Sequence, residues 1–201
     1  RQAGMRVDGL DAASQTTLFA LSNLEKGSEG GIYLSAGIHG DEPAAVQGLL
    51  QWAEENIPFL RNHPVIIFPC LNPWGLRNNM REDEEGKDLN RCFDQLENEL
   101  VAWVHRLIEG YRFQVAACLH EDFDAKGVYL YELARRGEHF GSSLLKKLEK
   151  IIPRHRGRVD GRESRNGVMR RTRGLKKIVE EIGGMPEAGY LFLNHARTAL
   201  T

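Results

Sequence analysis

The strongest constraint on this chain is an alternation of short, continuous apolar runs with segments that carry apolar residues at helical spacing. Residues 32–36, 65–68 and 113–119 are apolar at nearly every position. A strand with one face in water alternates apolar and polar residues, whereas an unbroken run suits a strand covered on both faces, as in mostly parallel sheets. Between these runs, Ala44, Val46, Leu49, Leu50 and Trp52 follow Pro43 at helical spacing. Residues 93–108 align Leu96, Leu100, Trp103, Val104 and Leu107, and residues 139–152 align Leu144, Leu145 and Leu148. Residues 16–21 and 128–132 read as further strands, residues 26–31 and 72–75 as turns, and residues 76–90 as loop. The expected fold is α/β, with a mixed, mostly parallel central sheet and helices on both faces. A chain of 201 residues suits one such unit, so residues 1–201 are expected to form a single domain.

Charge and cysteine content narrow the function classes. The formal net charge is −1, and bulk charge therefore points to neither nucleic acid nor membrane as a partner. Residues 154–177 depart from this balance. They hold ten Lys and Arg against Asp160 and Glu163, a net +8, which leaves −9 for the remainder. Such a run is either a solvated basic loop or a rim that attracts carboxylate-bearing substrates. It lacks aromatic interleaving and any nucleic-acid motif. No apolar run approaches the roughly 20 residues needed to span a bilayer. The three cysteines, Cys70, Cys92 and Cys118, form no CxxC pair. They read as small buried residues of a protein kept in a reducing cytoplasm.

Chemistry-bearing residues gather at the ends of the apolar runs. His39 and Glu42 lie three apart where residues 32–36 give way to the helix opened by Pro43, which Asp41 could cap. Imidazole and carboxylate are both good zinc ligands, and a tight turn beyond a strand's C-terminal end could aim both at one point. The pair alone is equally a helix cap or a surface pair. His120 closes residues 113–119 and could complete a set of three protein ligands, or be a lone strand-end histidine. Glu121, Asp122 and Asp124 follow it, and any of them could orient its ring.

The order of the remaining motifs is more specific. His39-Gly-Asp-Glu42, Asn72-Pro-Trp-Gly75, Arg81, then Gly86-Lys-Asp-Leu-Asn-Arg91 and the strand-terminal His120 together resemble the zinc carboxypeptidase superfamily, including its succinylglutamate desuccinylase and aspartoacylase branch. The resemblance covers residues 32–132. It implies a metallohydrolase that cleaves an amide bond adjacent to a free carboxylate, with one zinc per chain held by His39, Glu42 and His120. It implies that Asn90 and Arg91 grip the substrate carboxylate and that Arg81, with Arg77 competing for the role, polarises the scissile carbonyl. Asp88 is expected to hold the loop. The implied substrate is a small peptide or an N-acyl amino acid, with the carboxypeptidase branch favoured by the fuller motif. A non-catalytic metal-binding domain is the alternative from another class.

The same resemblance implies a glutamate acting as general base on a late strand, in a Thr-x-Glu context. Residues 190–201 lead toward such a strand, so the glutamate is expected past Thr201, together with a further strand and helix. Glu180, Glu181 and Glu187 precede that position and receive no role. Tyr190 reads either as a substrate-side tyrosine or as an aromatic packed beside Phe192.

Overall fold

The computed structural model describes residues 4–11, 16–25, 27, 29–164, 166–170 and 174–201. In chain order the elements are β1 (Arg6–Asp11), β2 (Thr17–Ser22), β3 (Glu29–Ala36), α1 (Pro43–Glu55), α2 (Ile57–Asn62), β4 (Val65–Phe68), α3 (Pro73–Asn78), a 3-10 turn (Leu89–Arg91), α4 (Glu99–Ile108), β5 (Arg112–Leu119), β6 (Leu130–Ala134), α5 (Gly141–Leu148), β7 (Arg158–Val159), β8 (Arg162–Glu163), β9 (Val168–Arg170), α6 (Leu175–Ile182), α7 (Glu187–Asn194) and β10 (Ala196–Leu200).

Eight of these strands form one sheet in the order β1-β2-β4-β3-β5-β10-β6-β9. The run β4-β3-β5-β10 is parallel throughout. Antiparallel pairs flank it, β1 with β2, β2 with β4 and β10 with β6, and β9 closes the edge parallel to β6. This is the mixed, mostly parallel sheet expected from the unbroken apolar runs. All four residues of β4 are buried, which requires cover on both faces. On one face Tyr33, Phe68 and Phe113 pack with Val101, Val104 and Ile108 of α4 and Leu191 of α7. On the other, Ala36, Val65 and Ile67 pack with Val46 and Leu49 of α1 and Leu60 of α2. A smaller cluster joins Leu130, Val168 and Leu200 to Leu145 of α5.

Several boundaries differ from the sequence reading, each for a local reason. Residues 72–75 open α3 rather than form a free turn. The Asn72 side chain accepts the Gly75 N–H at 2.8 Å, and Pro73 supplies the fixed φ of a first helical position. The helix expected over residues 93–108 begins only at Glu99, because Asn98 caps it by accepting the Val101 N–H at 3.2 Å. Leu96 is 59% exposed, outside the apolar stripe. The helix expected over residues 139–152 is shortened to α5. Buried Glu132 accepts the N–H groups of Phe140 and Gly141 at 2.8 and 2.7 Å, which fixes the start at Gly141. The strand expected at 128–132 is displaced to β6, since Val128 is committed to an isolated parallel bridge with Arg154. Within residues 26–31, Lys26 and Ser28 lie outside the described residues, and Glu29 already belongs to β3. The basic window holds β7, β8, β9 and the first turn of α6; its residues 165 and 171–173 lie outside the described residues. No helix among the described residues is long and apolar enough to cross a membrane.

Candidate metal centre

Parallel pairing of β3 with β5 sets Ala36 beside Leu119, so both strands end together. His120 is the first residue past β5, while His39 and Glu42 lie in the segment between β3 and α1. That segment is tied to the one after β4. The Leu71 N–H donates to the Ala36 carbonyl at 3.0 Å and the Asn72 N–H to the Gly37 carbonyl at 2.8 Å. Gly40 and Gly75 then meet backbone on backbone, and a Cβ on Gly40 would stand 2.0 Å from the Gly75 carbonyl carbon. The two glycine-bearing motifs are thus one packed unit.

Within it, Glu42 spans the two histidines. Its Oε1 lies 2.7 Å from His39 Nδ1 and its Oε2 lies 2.8 Å from His120 Nδ1. The ligand atoms of the three side chains lie within 4.8 Å of one another. His39 and Glu42 are buried. Burial works to raise the Glu42 carboxyl, but hydrogen bonds from His120 and His39 outweigh it and bring the value down to about 2. Burial works to lower His39, and its bonds to Asp88 and Glu42 outweigh that and raise it.

Asp88, expected only to hold the loop, is the hub behind His39. Its Oδ1 lies 3.2 Å from His39 Nε2 and accepts the Asn90 N–H at 2.9 Å. Its Oδ2 accepts from Arg81 Nε at 3.2 Å and lies 3.9 Å from Arg91. Although burial opposes it, these partners hold the Asp88 carboxyl well below the usual carboxylate range. Arg81 also approaches Glu42, at 3.8 Å. Arg77 is exposed and pairs with no carboxylate among the described residues, which leaves Arg81 as the arginine at the cluster. Asn90 turns its Oδ1 to the Glu187 N–H at the start of α7, at 2.9 Å. Arg91 donates to the Asn90 carbonyl at 2.9 Å. The Arg81 loop is held by Asn72, whose Nδ2 donates to the carbonyls of Arg81 and Glu82 at 3.4 and 2.9 Å.

Two assignments change, at Asp41 and at the acidic residues after His120, and one open alternative, at Tyr190, is resolved. Asp41 is exposed and does not cap α1. Glu42, at the N-cap position, gives its carboxylate to the imidazoles instead. The cap comes from Glu121, whose Oε1 accepts the N–H groups of Ala44 and Ala45. None of Glu121, Asp122 and Asp124 bonds to the His120 ring among the described residues; Asp122 holds Tyr129 and the Asp124 N–H instead. Tyr190 packs against His105, stacked at 4.1 Å, and against Phe93, so it is a packed aromatic rather than a substrate-side one. Glu187 is fully buried, with Tyr33 donating to it at 2.7 Å, and burial raises its carboxyl. Glu180 and Glu181 lie on α6.

Residues 29–133 match the model of the succinylglutamate desuccinylase/aspartoacylase catalytic domain. Murein peptide amidase A of Escherichia coli (strain K12) is 42% identical over 65 residues, which are 32% of this chain and 26% of that protein. The chain thus matches about a quarter of the length of that curated relative. Among solved structures, a Shewanella amazonensis protein assigned to the metallopeptidases superposes with a TM-score of 0.80 at 22% identity, over 99% of this chain and 77% of the other. A metallo-carboxypeptidase from Pseudomonas aeruginosa, in complex with (2-guanidinoethylmercapto)succinic acid, gives 0.65 at 15% identity, over 100% of this chain and 56% of the other. At these identities the superpositions speak for the fold.

Proposed function

Because the chain belongs to the succinylglutamate desuccinylase/aspartoacylase catalytic-domain family, within the zinc carboxypeptidase superfamily, we propose that it is a zinc-dependent hydrolase of an amide bond next to a free carboxylate. The observation that carries this reading is the convergence of His39, Glu42 and His120 at the ends of two neighbouring parallel strands. Two nitrogen donors and a carboxylate fit zinc and leave a coordination position open, the pattern of a catalytic rather than a structural ion. In this reading His39, Glu42 and His120 would hold the ion, each offering one ligand atom. Bound there, zinc would supply Lewis acidity toward a carbonyl and a water acidified to near neutrality.

The chain's own side chains do the rest. Asp88 fixes the His39 tautomer by taking its Nε2–H and makes the ring a better donor. Arg81, beside Glu42, offers N–H groups to the oxyanion that develops on the attacked carbonyl. Arg91 accepts the substrate carboxylate in its planar fork, with the Asn90 amide nitrogen beside it. The similarity to a murein peptide amidase favours a peptide amide as substrate. The family model's description favours an N-acyl amino acid, which is the second reading.

The reading is tested by stripping the protein with a chelator, restoring one equivalent of zinc and assaying short peptides and N-acyl amino acids. Activity that vanishes and returns supports it, and activity indifferent to the chelator overturns it. Asp88→Asn is expected to weaken zinc binding by about 10–100-fold with the fold intact, as measured by chelator competition. Arg91→Ala is expected to lower kcat/KM for free-carboxylate substrates by roughly 10–100-fold, the worth of a charge-assisted bond, with much less effect on amidated analogues. Equal loss on both would remove Arg91 from carboxylate recognition.

A further inference from the structure

The turn that carries Asn90 and Arg91 is held from behind by the segment that opens α7. The Phe93 N–H donates to the Met185 carbonyl at 3.0 Å, and Cys92 forms an isolated parallel bridge with Met185. Gly184 lies so close to Arg91 that a Cβ there would stand 1.9 Å from the Arg91 carbonyl oxygen. The Glu187 N–H, at the first position of α7, donates to the Asn90 side chain itself at 2.9 Å. Residues 184–187 therefore back the whole carboxylate-gripping turn.

That segment is anchored in turn to the sheet by the Glu187 side chain. Its Oε1 accepts the Tyr33 hydroxyl at 2.7 Å. Tyr33 is fully buried on β3, with its ring centred 5.3 Å from Phe68 and 5.6 Å from Phe113, so it cannot follow a carboxyl that moves. Ser35 of β3 and Cys118 of β5 stand beside the carboxyl, and these two strands lead to His39 and His120. Glu187 Oε2 is buried with no hydrogen-bond partner among the described residues, which makes the Tyr33 hydroxyl its main tie. Burial raises the carboxyl and so favours the neutral acid. In that form Oε1 stays the acceptor and the proton falls to Oε2. The group is a strut rather than a charge directed at the metal ligands.

We propose that Glu187 is a positioning residue for carboxylate recognition: its side chain pins the start of α7 to β3 while its N–H pins Asn90, so that Arg91 and the metal centre keep one separation. The proposal rests on the hydrolase reading above and deepens it. A substrate carboxylate and its scissile amide are joined by a short covalent path, and both must be engaged at once. A turn free to drift presents Arg91 at the right distance only part of the time, and apparent affinity falls with the fraction of molecules in the competent arrangement. Glu187 acts through Asn90, so its loss is expected in substrate binding rather than in the chemical step.

Amide hydrogen exchange on the full chain tests the clamp without turnover. Tyr33→Phe keeps the ring and removes the hydroxyl. In that variant the Glu187 N–H is expected to exchange about tenfold faster relative to the core amides of Ile66 and Ile67. Glu187→Ala is expected to do the same, whereas Glu187→Gln, a neutral group of the same shape with the same acceptor, stays within about twofold of wild type. An unchanged Glu187 N–H in Tyr33→Phe, or a rise shared equally by Ile66 and Ile67, would overturn the clamp. With the zinc-loaded protein, Tyr33→Phe is expected to raise KM for free-carboxylate substrates about tenfold, with kcat and zinc affinity moved far less and amidated analogues little affected. Glu187→Gln is expected to keep the wild-type KM. An equal rise in KM for amidated analogues, or a Gln variant as impaired as the Ala one, would overturn the positioning role. Failure of the wild type to hydrolyse any amide would count against the hydrolase reading alone, and the exchange result would still decide the clamp.

Discussion

Replacing His120 with Ala is expected to leave the purified protein without stoichiometric zinc, as measured by elemental analysis beside the wild type. Two ligands from one four-residue stretch of chain, His39 and Glu42, cannot enclose an ion without the donor from the neighbouring strand. If the roughly 10–16 kcal/mol of a tight zinc site is shared among its three protein ligands, loss of one weakens binding by roughly two to four orders of magnitude. Unchanged metal content would mean that the ion sits elsewhere. The same substitution has a signature in the metal-free protein. Glu42 is depressed from 4.5 to about 2 by its two imidazoles. It therefore contributes stability that is complete above the unfolded value and lost as pH falls toward about 2. With one imidazole removed the folded value rises and that contribution shrinks, so acid unfolding of the metal-free variant is expected to begin at a higher pH.

Gly40→Ala should be strongly damaging for a change of a single methyl group. The added carbon would stand 2.0 Å from one Gly75 backbone atom and 2.3 Å from the Leu76 nitrogen, and no side chain can swing away to relieve a clash with main chain. Overpacking of this kind costs about 1–3 kcal/mol, and more when backbone must move. Here the upper end, about 3 kcal/mol or more, is expected in urea unfolding, together with weakened zinc binding as His39 and Glu42 separate from His120. A variant with wild-type stability and zinc affinity would show that the two loops are not held by this contact. A control at Gly48, where an added Cβ meets nothing within 4 Å, is expected to be neutral or slightly stabilising on a helix.

The parts of the site that a linear reading reaches are those placed by strand ends. His39, Glu42 and His120 each follow an unbroken apolar run, and the sheet brings the ends together because β3 and β5 are neighbours. The role of Asp88 was not legible, since its partner His39 lies 49 residues away and only the folded loop makes them meet. Helix caps supplied from a distance, Glu121 for α1 and Glu132 for α5, escape a local rule for the same reason. Residues 196–200 carry an Arg and a Thr and look half-polar, yet Thr198, Ala199 and Leu200 are buried. Their burial comes from position between two strands, not from composition. Arg197 reaches outward to Glu138 at 2.8 Å. The aligned leucines at Leu50 and Leu96 misled in the opposite sense, because Leu50 lies outside the face of α1 that finds a partner and Leu96 precedes the helix altogether.

The position of β10 governs the order in which the molecule can assemble. It is the last of the described strands to be synthesised, yet it is inserted between β5 and β6 rather than added at an edge. Ala196 must find Phe113, a contact far apart in the chain, and such closures slow folding. Until residues 196–200 leave the ribosome, β5 and β6 present unpaired backbone edges to one another's neighbours and to other nascent chains. The same insertion makes cooperativity hard to escape once achieved: extracting β10 would split the sheet in two beside the strand that leads to His120, so local opening there is tied to loss of the whole core.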